Sequence, residues 1–308
     1  MNSKKVNRIF LAVILVHIAV VILLLVFSPV FTLEILPNFI VSQAIVLVPA
    51  LLGVLLSGEN LIRLAGFHKI KISSVFMIIL FTFLIMPLTT VVNMISMLFV
   101  DNTVAALSSD ILGIPFVIML FTIGVFGPFS EELVFRGILY QGYKKSGTVL
   151  QAMILSAVLF ALMHMNFNQA AYALIIGIIM VLMVEATGSI WSSILIHVVF
   201  NSQQVCLMYL YDAIGYGAEG LEKAQEQMTT DILLMGIGVY LIIAAAAAAL
   251  AGCVLAWIAK NEKREENLRA VWTSRKQKKD KMITIPLLLA AVIALFYMSL
   301  EVILSRAV

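Results

Sequence analysis

Residues 112–142 read LGIPFVIMLFTIGVFGPFSEELVFRGILYQG. A helix crosses a bilayer in about 20 apolar residues at about 1.5 Å each, and this run is longer than that. Glu131, Glu132 and Arg136 nevertheless stand inside it. An ionisable group at mid-membrane costs at least about 2.5–3.5 kcal/mol on insertion scales. The stretch therefore reads as a membrane helix carrying charges that need a reason.

The rest of the chain agrees with a membrane setting. Of 308 residues, 62% are hydrophobic and 12% charged, against about 45–50% and about 25% in soluble domains. Such an excess must face lipid, where an open backbone finds no partner, so the expected fold is an all-α, polytopic transmembrane bundle. The runs are too long and too continuously apolar for barrel strands. The net charge of +3, from 20 basic and 17 acidic residues, is too small to make nucleic-acid binding a main activity. Disorder, collagen-like structure and a disulfide-stapled fold are excluded by composition. Cys206 and Cys253 lie in apolar runs and read as packing residues rather than a disulfide or metal pair.

Nine candidate spans follow, at roughly 9–31, 39–57, 73–100, 112–142, 148–166, 169–187, 189–211, 232–259 and 283–304. Eight or nine crossings are thus expected, in a single membrane domain over 1–308. Lys4, Lys5 and Arg8 precede a first run too long for a cleavable signal core, and place the N-terminus in the cytoplasm. Basic connections recur at Arg63, His68, Lys69 and Lys71, at Lys144 and Lys145, and at Lys260 to Lys281, with Lys263, Arg264, Arg269, Arg275, Lys276, Lys278 and Lys279. Asp101, Asp110, Asp212, Glu219, Glu222, Glu226 and Asp231 mark the intervening ones. Only the 187–189 turn lacks the basic residue its place demands. The Ala244–Ala249 run reads as a close helix contact. No internal repeat is evident, which weighs against an inverted-repeat transporter. The expected location is a multi-pass protein of a bacterial cell membrane.

Polar groups collect in three of these spans. Glu132 and Arg136, four apart, share a helix face and can pair; Glu131, about 100° around the helix, is left as a candidate general base. Phe160 stands one turn before His164, where its ring can fix the imidazole. His197 and Asn201 are again four apart. Measured along their helices from the cytoplasmic side, Glu131, His164 and His197 lie roughly 20, 25 and 12 Å deep, which permits convergence if the helices tilt or break at Pro128. Each feature alone has a bland reading: a buried bridge for Glu132–Arg136, packing or a proton relay for either histidine, interhelical contact for Asn201. His17, His68, Glu301 and Arg306 are assigned no role, and Gln43 and Asn93 read as helix–helix contacts. The joint occurrence carries the functional reading.

Glu131-Glu132-Leu-Val-Phe-Arg136, Phe160-Ala-Leu-Met-His164 and His197-Val-Val-Phe-Asn201 resemble, in order and on separate helices, the EExxxR, FxxxH and HxxxN motifs of the CPBP family, the CAAX-protease and bacteriocin-processing membrane proteins also called Abi. The resemblance covers about 112–211, a catalytic core within the membrane domain. It implies an intramembrane endopeptidase acting on a membrane-associated or lipidated peptide, with no nucleic-acid partner. By family analogy Glu131 and His164 activate a water, His197 and Asn201 stabilise the oxyanion, and Glu132, Arg136 and Phe160 support them. The family is commonly labelled metalloprotease, and Glu131, His164 and His197 could hold Zn²⁺ with an open position. HExxH is absent, and the reading leans to a metal-independent glutamate–histidine mechanism. Two rivals remain: a proton-coupled transporter using the same residues, and a non-catalytic immunity or peptide-binding protein. Nothing in the sequence says whether the substrate is prenylated, or what the oligomeric state is.

Overall fold

The computed structural model describes residues 1–275 and 281–306, and these are helical with no strand. Nine apolar helices make the bundle: α1 Ser3–Phe27, α2 Ile35–Leu56, α3 Ile72–Met97, α4 Phe116–Lys144, α5 Val149–Met163, α6 Phe167–Thr187, α7 Ile190–Ala213, α8 Thr230–Asn261 and α9 Ile285–Ser305. Eight of them, at 21 to 32 residues, are long and apolar enough to cross a membrane, so the protein is an integral multi-pass one. The exception is α5, expected at 148–166 but only 15 residues long, or about 22 Å. It ends on His164, short of the span a hydrocarbon layer requires.

Polar side chains set the helix starts. Asn2, Thr148, Asn166, Ser189 and Thr229 each accept a backbone N–H of the first turn, and Thr148 with Gln151 forms a reciprocal capping box. Gly188, at φ 75°, ends α6 in the left-handed conformation that a residue with a Cβ resists.

The connections gather at two ends. At one, Ser3 N–H donates to Ser146 Oγ, Ser3 Oγ to the Lys281 carbonyl, Ser189 Oγ to the His68 carbonyl, and Val149 N–H to Ser274 Oγ. The terminal amine of Met1 pairs with Glu59 there. Arg264 donates to the Glu185 carbonyl and lies against Gly188, so the 187–189 turn borrows its positive charge from a neighbouring loop. At the other end Thr103 binds Asn166 and Asn168, Arg306 donates to the Phe99 carbonyl, and Tyr209 donates to the Ile111 and Ile114 carbonyls. Glu219 sits there in a short helix, Gly217–Glu226, packed on the Thr103–Ala106 and Ser108–Leu112 turns. Lys276, Lys278 and Lys279, and the side chains of Glu222 and Glu226, lie outside the described residues.

One sequence expectation is corrected, and one is narrowed to a single alanine. Cys206 and Cys253 are free thiols on outward faces rather than packing residues. The alanine run contributes only Ala244 to the interior; α8 packs along α3 through that residue with Ala251, Val254 and Ile258.

Pro128 does not break α4. The helix winds as π over Leu120–Phe126, as α over Gly127–Glu132, and as π again over Leu133–Tyr140. Proline lacks the N–H that would bond back into the preceding turn, and its ring crowds the carbonyl there. The wider π turn relieves that crowding and leaves carbonyls in need of donors. Helix α7 supplies them: Asn201 Nδ2 donates to the Ile123 carbonyl at 3.2 Å and Ser202 Oγ to the Gly124 carbonyl at 3.3 Å. This approach requires a glycine, since a Cβ at position 124 would stand 2.6 Å from Ser202 Oγ.

Candidate active site

The α segment between the two π turns presents Glu131 and Glu132 to opposite surroundings. Glu132 is fully buried, and its Oε1 accepts from Arg136 Nη1 at 2.9 Å and from His197 Nδ1 at 3.0 Å. A carboxylate only accepts, so Nδ1 of His197 carries a proton. Glu131 reaches the cavity instead. Its Oε1 accepts from Gln43 Nε2 at 3.2 Å, and its Oε2 stands 3.9 Å from His197 Nε2, beyond hydrogen-bond reach.

The buried Arg136 is held twice, by Glu132 and by the face of Phe160, whose centroid lies 4.1 Å from the guanidinium carbon. Gly177 leaves room for it, as a Cβ there would stand 3.4 Å from Arg136 Nη2 and 3.0 Å from Ala157 Cβ. Phe160 meets both imidazoles edge to face, His164 at 4.9 Å and His197 at 5.9 Å between centroids. The ring predicted to orient one histidine thus touches two and covers the cation behind them.

His164 closes α5. Its Nδ1 lies 2.8 Å from the Phe160 carbonyl, an oxygen that only accepts, so Nδ1 is protonated and Nε2 keeps its lone pair. The chain reverses immediately afterwards through Met165, a non-glycine residue at φ 55°, a conformation costing about 1–3 kcal/mol unless neighbours impose it. Asn166 does so: its Nδ2 donates to the His164 carbonyl at 2.8 Å and its Oδ1 accepts from Gln169 N–H at 2.8 Å.

Glu131, His164, His197, Asn201 and Phe160 all line one cavity of about 650 Å³. The three motifs thus converge on one cavity although their depths along the helices differ. Glu132 and Arg136 stay behind the wall, and Glu132 holds His197 rather than Glu131. Gln43, expected as a helix–helix contact, makes that contact with Glu131 itself, and His17, given no role in the sequence, lines the same cavity while its ring stands edge-on to Tyr297. The available signal for Gln43 was a carboxamide inside an apolar run, which must find a partner in lipid.

Zinc ligands lie about 2.0–2.2 Å from the ion, so three donors must converge. Among the described residues no group of three His, Cys, Asp or Glu side chains does so. The donors do not fit a preformed three-ligand zinc site.

No curated protein matches the chain, and no solved structure matches it. Residues 113–203 match the family described as type II CAAX prenyl endopeptidase Rce1-like. The match runs from the start of α4 into α7 and holds all three motifs; α1, α2, α3, α8 and α9 lie outside it. Residues 113–203 of this integral membrane protein are therefore similar to the Rce1-like family, over less than a third of the chain.

Proposed function

We propose that the protein is an intramembrane endopeptidase in which Glu131 and His164 activate the attacking water. The observation that carries this reading is the lining of one cavity by Glu131, His164, His197 and Asn201. Glu131 Oε2 and the lone pair on His164 Nε2 are both acceptors, suited to take the two hydrogens of a water and aim its oxygen at a peptide carbonyl. Glu131 takes the proton as the new C–O bond forms and returns it to the leaving amine as the C–N bond breaks.

His197 and Asn201 serve the oxyanion of the tetrahedral intermediate. For His197 to donate from Nε2 while Nδ1 donates to Glu132, the ring must be an imidazolium, and the Glu132 carboxylate stabilises that cation as the aspartate of a serine-protease triad does. Asn201 spends one N–H on the Ile123 carbonyl and keeps the other. Glu132, Arg136 and Phe160 position these groups.

The test is a proteoliposome assay against prenylated and unprenylated peptides, comparing wild type with His164→Ala, each with and without a zinc chelator. This reading predicts cleavage by wild type, loss in the folded variant, and indifference to chelation. Cleavage abolished by chelation and restored by Zn²⁺ contradicts the water-activation scheme.

A further inference from the structure

The cavity has a direction. It runs from Glu131 and His197 in the middle of the bundle to Tyr211, in the last turn of α7, and to Asn102, Val104 and Ala105 between α3 and α4. None of the residues lining it belongs to the connections 57–71, 144–148, 187–189 or 260–283. Those connections carry the positive charge. Among the described Lys and Arg residues only Lys223 and Arg306 stand at the cavity's end, where Asp101, Asp110, Asp212 and Glu219 are found. Arg136 is in the interior. Lysine and arginine in short loops mark the cytoplasmic side.

The lining has a chemistry as well. Gln43, Asn93, Asn102, Gln169, Asn201 and Gln204 contribute carboxamides, and no Lys or Arg among the described residues lines the cavity. Gln43 Oε1 is buried and has no hydrogen-bond partner among the described residues, which leaves an acceptor for a backbone N–H. A substrate carboxylate would meet the Glu131 carboxylate with no Lys or Arg to offset it, and would compete with the oxyanion for the His197 ring.

We propose that the cavity admits its substrate from the extracytoplasmic face, and that the substrate is an uncharged stretch of peptide at or beyond that surface rather than a cytoplasmic lipid-modified C-terminus. The chemistry of cleavage rests on the endopeptidase reading; the sidedness does not.

Single cysteines in a Cys206→Ala, Cys253→Ala background test the side directly. Asp101→Cys marks the cavity's end, Ser42→Cys its wall, and Lys69→Cys the basic end; Thr90→Cys replaces Ser42→Cys if that variant fails to insert. A membrane-impermeant maleimide is applied to intact cells and to inverted vesicles. The proposal predicts labelling of Asp101→Cys and the wall cysteine in intact cells, and of Lys69→Cys in inverted vesicles alone. Labelling of the wall cysteine only in inverted vesicles overturns it.

An impermeant unprenylated peptide is then offered to each face, as the free acid and as the C-terminal amide, with the bond to be cut within three residues of the end. Cleavage from the outer face, with kcat/KM about tenfold or more higher for the amide, is the expected result. Cleavage from the inner face alone, or preference for the free acid, overturns the proposal. Labelling as predicted without cleavage at either face overturns the endopeptidase reading and leaves the sidedness standing.

Discussion

Glu132 accepts the Nδ1–H of His197 at 3.0 Å across 65 residues of sequence, and the same oxygen accepts from Arg136 at 2.9 Å. One buried carboxylate thereby ties α4 to α7 and fixes the ring that faces Glu131. Glu131 and Glu132 are neighbours in the chain with separate duties: one holds the site together and the other reaches the cavity.

Replacing Glu132 with Gln leaves the Arg136 guanidinium, 1% exposed, without its counter-charge. Removing one partner of a buried pair costs about 3–5 kcal/mol. Thermal unfolding in detergent is expected to show a large loss for Glu132→Gln and partial recovery for Glu132→Gln with Arg136→Met. A single variant as stable as wild type would show that the pair carries no structural load.

Gln43 holds Glu131 through a 3.2 Å bond. Gln43→Leu keeps the bulk of the side chain and removes the donor. It is expected to lower kcat about tenfold, as for an interaction felt in the transition state, and to raise KM as the Oε1 acceptor for substrate is lost. Gln43→Glu, which sets a carboxylate against Glu131, is expected to do worse. Steady-state kinetics on the two variants, with Gln204→Leu as a cavity-lining control, decides it.

Gly124 allows α4 and α7 to touch. A methyl there would stand 2.6 Å from Ser202 Oγ and 3.2 Å from Ser202 Cα. The second contact is with backbone, so the side chain cannot relieve it by turning away. Gly124→Ala is expected to cost about 1–3 kcal/mol, the usual penalty of overpacking, and Ser202→Ala to restore only part of it. Unfolding midpoints of the single and double variants measure both.

Asn201 has two duties that a mutation separates. Losing its bond to the Ile123 carbonyl removes the donor of a half-buried acceptor, at about 1 kcal/mol. Losing an oxyanion donor lowers kcat by about 100- to 1,000-fold. Asn201→Ala is expected to show both effects, and Ser202→Ala, which removes only the bond to the Gly124 carbonyl, the stability loss alone. Equal kinetic effects from the two would reduce Asn201 to a helix contact.

The helical membrane architecture and the three motif helices were legible in the sequence because each rests on local information: a run of apolar residues, or a spacing of four on one helix. Arg136 as a partner of Glu132 was legible from that spacing, but the second partner was not, since His197 sits on another helix and nothing local distinguishes Glu131 from Glu132 as its acceptor. Gln43 stands 88 residues from Glu131, on a helix outside the matched segment, where a lone carboxamide in an apolar run has many candidate partners. The π turns around Pro128 escape notice for another reason. A proline in a membrane run signals a perturbed helix, but whether it kinks or widens depends on donors such as Asn201 and Ser202 arriving from a neighbour.

The central claim is that Glu131 is the base that activates water. Its most direct test compares wild type and Glu131→Gln, purified in parallel and shown to unfold at similar temperatures, on the best-cleaved peptide of the panel. With Glu131 as the base, kcat falls at least about 100-fold, the lower bound for losing a general base, and peptide binding is retained. Cleavage by Glu131→Gln at a rate near that of wild type would contradict it.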